Sequence, residues 1–116
     1  MSRTPLLHFI QTESFVDSAS DVPITDAEVQ HLEEILLADP TAGDVIPGSG
    51  GLRKVRLPVK GKGSRGGARV IYYYVVQNLT VYLLFAYSKS ASDDLSSAGK
   101  KYLRTLAAQI DAEGGA

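Results

Sequence analysis

No cysteine occurs among the 116 residues, so disulfides and thiolate metal sites are excluded, and a reducing cytoplasm is the natural compartment. Histidine is nearly absent. His8 and His31 stand alone in the chain, and two isolated imidazoles do not make a metal centre. No run approaches the ~18 apolar residues that a membrane span needs, and the N-terminus lacks the apolar core and small-residue cleavage site of a secretory signal. Repeats at solenoid periods are missing too. What remains is one soluble domain, since 116 residues with 44% hydrophobic content can bury a single core without staples.

The most informative absence is one of charge. Residues 45–92 hold eight bases and no acid, whereas residues 1–44 hold one base and nine acids, and residues 93–116 three bases and four acids. A net charge of −1 therefore hides a strongly dipolar molecule. Bases clustered on a rigid sheet are the footprint of a polyanion site, which binds by neutralising phosphates and releasing counterions. Lys and Arg also blunt sheet edges in proteins that bind no polyanion, but that use does not ask for an acid-free window of this length.

The same window carries most of the strand signal. Leu52–Leu57, Ala68–Val76 and Thr80–Tyr87 are rich in β-branched and aromatic residues and predict three antiparallel strands. Lys60–Gly67 makes a wide glycine-rich loop after Pro58 ends the first strand, and Gln77-Asn78 is placed where a hairpin needs a residue tolerant of positive φ. Alternation puts Lys54 and Arg56 on one face of the first strand and Arg69 with Ile71 and Tyr73 on one face of the second. In the third strand Val81, Leu83 and Phe85 form the expected core face. Helices on that side leave Lys54, Arg56 and Arg69 together on the other.

Outside the window, Leu6–Thr12 reads as a strand at the sheet edge, and Ser14–Val22 as a loop or short helix. Thr25-Asp26-Ala27-Glu28 is a capping box, with Ile24 and Val29 placed as its hydrophobic staple, so a helix is expected from Asp26 to Ala38. Val29, Leu32, Ile35 and Leu36 form its apolar stripe. Asp44–Gly51 is rich in turn residues. Ser92-Asp93-Asp94 resembles an N-cap followed by acids, which predicts a last helix running to about Asp111, with Leu95, Tyr102, Leu103, Leu106 and Ile110 buried.

Gly61 to Gly66 matches the spacing G-x-G-x-x-G, but that fingerprint works between a strand and a helix N-terminus, and here it joins two strands. Gly67 and Ala68 stand where a P-loop needs Lys and Ser or Thr. The loop is either a phosphate-wrapping segment or an ordinary hairpin tip. Nucleophilic and metal mechanisms lack constituents, which leaves Lys, Arg and Tyr. These suffice for RNA cleavage by its own 2′-hydroxyl, because that reaction requires no protein nucleophile and gains from electrostatic stabilisation of a phosphorane.

Taken together, GDVIPGSGGLRKVRL, the loop KGKGSRGGAR, VIYYY, a hairpin, YLLFAYSK and a closing helix resemble the RelE/HigB toxins, closest to the HigB branch. The resemblance spans roughly residues 24–110 and is most specific from Gly43 to Tyr74. It implies an α+β fold, a compact antiparallel sheet with helices packed on one face, similar to small microbial ribonucleases. It also implies a toxin of a toxin-antitoxin pair: a metal-independent mRNA interferase, without cofactor, that cleaves the codon in the ribosomal A site. The implied partners are the ribosome, mRNA and a cognate antitoxin, a helix-turn-helix protein from the adjacent gene. The family's K-x-K pair falls on Lys54 and Arg56, and the arginine opening the next strand on Arg69. Arg56 and Arg69 are then expected to hold the scissile phosphate, and Lys54 to activate the 2′-hydroxyl or help to stabilise the phosphorane. Arg53, Lys60, Lys62, Arg65, Tyr73 and Lys89 are expected to contact RNA. The chain departs at Ser90 and Ser96, where the resemblance puts an arginine and a tyrosine of RelE-type toxins, so either Tyr73 or Lys54 replaces them in proton transfer or cleavage is slow. The alternative is a module that binds RNA or the ribosome and blocks translation without cutting.

Overall fold

The computed structural model describes residues 6–60, 67–88 and 96–113. Its element order is β1 (His8–Gln11), α1 (Glu13–Asp21), α2 (Asp26–Ala38), β2 (Asp44–Val45), β3 (Arg53–Leu57), β4 (Ala68–Val75), β5 (Thr80–Ser88) and α3 (Ser97–Ala112). The expected α+β class is observed. The sheet order is β1-β5-β4-β3-β2; β1 runs parallel to β5 and all other pairs are antiparallel. Among the described residues no helix is long and apolar enough to cross a membrane.

Local chemistry accounts for the helix starts. At α2 both halves of the capping box form: the Glu28 amide donates to Thr25 Oγ1 at 3.2 Å and the Thr25 amide to Glu28 Oε1 at 2.9 Å, which satisfies two donors a bare helix end leaves orphaned. Helix α1 begins at Thr12, whose hydroxyl accepts from the Phe15 amide. Helix α3 begins later than expected. Ser96 is its N-cap, in extended conformation with its hydroxyl accepting from Gly99; Ser92, Asp93, Asp94 and Leu95 lie outside the described residues. Tyr102, expected in the buried stripe, is 55% exposed, and Ala107 takes its place beside Leu103 and Ile110.

Helices cover both faces of the sheet, not one. Val55, Leu57, Val70, Tyr72, Val81, Leu83 and Ala86 pack with Phe15, Leu32 and Leu36 from α1 and α2. Leu52, Ile71, Val75, Tyr82, Leu84 and Tyr87 pack with Leu103, Ala107 and Ile110 from α3. The reason is that the middle strands are apolar on both sides, so neither side is stable facing water. The expected face assignment of Phe85 fails for a separate reason. Tyr72 pairs with Leu83 but Ile71 with Phe85, so Leu84 is an extra residue, a β-bulge, and alternation inverts beyond it. Ala86 turns to the α1–α2 face, and Phe85 and Tyr87 turn to the α3 face.

Helix α1 satisfies the bulge. Ser14 Oγ donates to the Leu84 carbonyl at 2.6 Å, and Ser18 Oγ accepts from the Ala86 amide at 2.9 Å. The hairpin between β4 and β5 turns through a 3-10 segment, Val76–Asn78, and the residue at positive φ is Leu79 (53°), not Asn78.

Candidate functional site

Strand register assembles the basic residues. Arg56 is the Cα partner of Arg69, which in turn partners Tyr87 on β5. One step along, Lys54 partners Ile71, which partners Phe85. By the two-residue period all six side chains share the α3 face. Lys54 and Arg69 are half-buried and Arg56 is exposed. The register thus sets two guanidinium-bearing residues directly opposite each other, and Arg69 also donates to the Ala68 carbonyl at 3.3 Å.

The connection between β3 and β4 is held at both stems. Val59 is buried in the core, and the Lys60 amide donates to Glu28 Oε2 at 2.5 Å. Glu28 thus uses one oxygen for the α2 cap and the other for this stem, and those amide bonds hold its carboxyl below the usual range. At the far stem Gly67 has φ +66°, and a Cβ there would lie 3.0 Å from the Leu57 carbonyl oxygen, so glycine is required. Lys60 is exposed. Lys62, Arg65 and Lys89 lie outside the described residues.

Two other expected contact residues take structural partners. Arg53 shares the α1–α2 face with Val55, away from Lys54 and Arg56; its guanidinium donates to the carbonyls of Gly43 at 2.8 Å and Thr41 at 3.3 Å. It clamps residues 41–43 together with buried Tyr72, whose hydroxyl donates to the Pro40 carbonyl and accepts from the Gly43 amide. Tyr73 is on the α3 face, but its phenol donates to the Asp111 carboxylate, at 2.8 and 3.0 Å to the two oxygens. Burial and the neighbouring Asp111 carboxylate push its pKa up to about 12. A phenol so disposed anchors α3 and is a poor base at neutral pH.

Sequence reasoning missed three neighbours of the basic row. Asp44 is the Cα partner of Lys54 once β2 pairs with β3, and Phe85 and Tyr87 arrive through the bulge. No local signal marks a single extra residue, although the small hydroxyls at Ser14 and Ser18 are its partners. Among the described residues no group of His, Asp or Glu side chains is placed to hold a metal ion. A second, shallow basic cleft is lined by Gly48, Ser97, Lys100, Lys101 and Arg104, where Arg104 donates to the Gly48 carbonyl at 3.2 Å.

Comparison with known proteins adds the family. The family described as the RelE toxin of the RelE/RelB toxin-antitoxin system matches residues 9–114. Among solved structures the chain is similar to a double arginine-to-alanine mutant of the E. coli toxin RelE in the free state, with 15% identity, 75% of this chain and 87% of that one covered, and a TM-score of 0.52. At that identity the likeness is one of fold. The intact E. coli RelBE toxin-antitoxin complex matches with 15% identity over 70% and 94% of the two chains and a TM-score of 0.49. The archaeal RelE-RelB complex from Pyrococcus horikoshii matches with 22% identity over 69% and 91%, at 0.44.

Proposed function

We propose, from the premise that this chain belongs to the RelE toxin family of toxin-antitoxin systems, that it is a ribosome-dependent endoribonuclease cutting mRNA in the ribosomal A site. The observation that carries the proposal is the register pairing of Arg56 with Arg69, with Lys54 one step away on the same face. In this reading the two guanidinium groups hold the scissile phosphate, where planar forks match phosphate oxygens. The 2′-oxygen loses its proton and attacks the adjacent phosphorus, the bond to the 5′-oxygen breaks, and that oxygen takes up a proton. Products are a 2′,3′-cyclic phosphate and a 5′-hydroxyl. Charge that develops on the non-bridging oxygens falls to Arg56 and Arg69, and preorganised donors aimed at such charge are the largest single contribution in many enzymes. In this reading Lys54, whose cross-strand neighbour is Asp44, activates the 2′-hydroxyl or helps to stabilise the phosphorane. Lys60 and the other loop bases serve the surrounding ribosomal RNA.

A cytoplasmic antitoxin from the adjacent gene, with a helix-turn-helix fold, is the expected inhibitor. Co-expression followed by co-purification tests that partnership.

One observation favours the second reading, a ribosome-binding module that does not cut. Tyr73 is committed to Asp111, with its phenol donating to both carboxylate oxygens. Purified protein added to ribosomes programmed with a defined message, followed by primer extension, separates the two. New 5′ ends within the A-site codon support the endoribonuclease; translation arrest with an intact message supports the module.

A further inference from the structure

The α1-locked bulge at Leu84 has an effect on the site. Without it, Phe85 would face α1 and α2 with Val81 and Leu83; with it, Phe85 stands on the α3 face in the row of Lys54 and Ile71. Ile71 and Leu84 are fully buried and Tyr87 nearly so, whereas the Phe85 ring is only half-buried. It leans on Tyr87 with centroids 6.4 Å apart and planes at 34°, which fixes the ring and leaves part of it exposed. Across β4 and β5 the diagonal neighbour of Phe85 is Arg69, a separation of about 7–8 Å between such positions, within reach of one nucleotide. Bulges that re-aim a side chain are over-represented beside active sites.

We infer that Phe85 is a stacking shelf for a nucleobase of the strand whose phosphate lies over Arg56 and Arg69. The inference rests on the RNA reading above and extends it from phosphate to base. Single-stranded RNA is recognised by splaying bases onto aromatic rings of a sheet, and every base offers a π-face. The basic row alone grips any polyanion; the shelf adds a requirement for a base and fixes the nucleotide against the guanidinium pair.

The chain contains no tryptophan, so Phe85→Trp introduces a single indole at the shelf. Titration with a short oligoadenylate is expected to quench its fluorescence, and an abasic backbone of equal length and charge is expected to leave it bright. Equal quenching by both, or none by either, overturns the inference. On programmed ribosomes Phe85→Leu, which keeps the apolar contact and loses the π-face, is expected to lower kcat/KM about tenfold or more, mainly through KM, with Phe85→Trp near wild type. Wild-type kinetics in a Phe85→Leu protein of unchanged melting temperature also overturn it. If Phe85→Leu does not fold, the fluorescence arm decides. If wild-type protein leaves the message intact, the endoribonuclease reading fails, while the quenching still decides the shelf.

Discussion

Ser18 Oγ accepts the amide of Ala86 at 2.9 Å, and through that bond α1 fixes the alternation of β5 beyond the bulge. Ser18 itself is secured by donating to the Ser14 carbonyl at 2.7 Å. Replacing Ser18 by Ala leaves a buried N–H without an acceptor, a loss of about 1–3 kcal/mol. Chemical denaturation of Ser18→Ala measures it; a change below about 0.5 kcal/mol, the range of neutral surface substitutions, would show that the hydroxyl does not hold the bulge.

Glu28 joins two structures with two oxygens, and glutamine separates them. Glu28→Gln keeps a carbonyl for the capping box but presents an NH₂ to the Lys60 amide. Glu28→Ala loses both, and a loss of about 0.5–1.5 kcal/mol is expected from the hydrogen bonds. Faster hydrogen exchange at Lys60 in the glutamine variant, with α2 unchanged, is the expected result. The carboxyl is depressed below its ordinary 4.5 by the Thr25 and Lys60 amides, so its contribution is present above that pH and is lost as pH falls through the lower folded value. Acid titration of stability in wild type and Glu28→Gln reads this difference, and superimposed curves contradict it.

Tyr73 and Asp111 tie α3 to β4. The phenol is raised from 10.0 to about 12 in the folded protein, so the contribution is complete below pH 10 and disappears between pH 10 and 12. Tyr73→Phe is expected to lower the melting temperature at pH 8 and to remove this part of the alkaline loss. An identical alkaline profile in the variant would mean that the hydroxyl contributes nothing to docking α3.

Much of the site was legible in the sequence because it depends on short-range rules. Helix α2 has the expected bounds since Thr25 and Glu28 are a complete local signal, and alternation placed Lys54, Arg56 and Arg69 on one face because no irregularity lies between their strands. Phe85 was misplaced since one extra residue inverts every position after it. Helix α3 is capped at Ser96, where the sequence offers only a lone serine, while the fuller cap signal at Ser92-Asp93-Asp94 lies outside the described residues. The attachments of Arg53 to Gly43 and of Tyr73 to Asp111 are tertiary, and no pattern of neighbours encodes them.

Loop charge has its own signature. Ribosome affinity is expected to fall steeply with salt, and neutralising Lys60, Lys62 and Arg65 together should flatten the slope, because each phosphate contact contributes about 0.7–0.9 to it. An unchanged slope in the triple variant means these bases do not meet RNA.

The central claim is that the Arg56–Arg69 pair stabilises charge that forms only as the RNA is cut. Interactions stronger in the transition state than in the ground state raise the chemical rate without a matching gain in binding. The deciding measurement is the single-turnover cleavage rate of A-site mRNA on programmed ribosomes for Arg69→Ala, set beside its ribosome Kd. The account predicts a rate loss of about 10²-fold or more, with Kd weakened only several-fold. Equal losses in rate and binding, or a cleavage rate that survives the substitution, would contradict it.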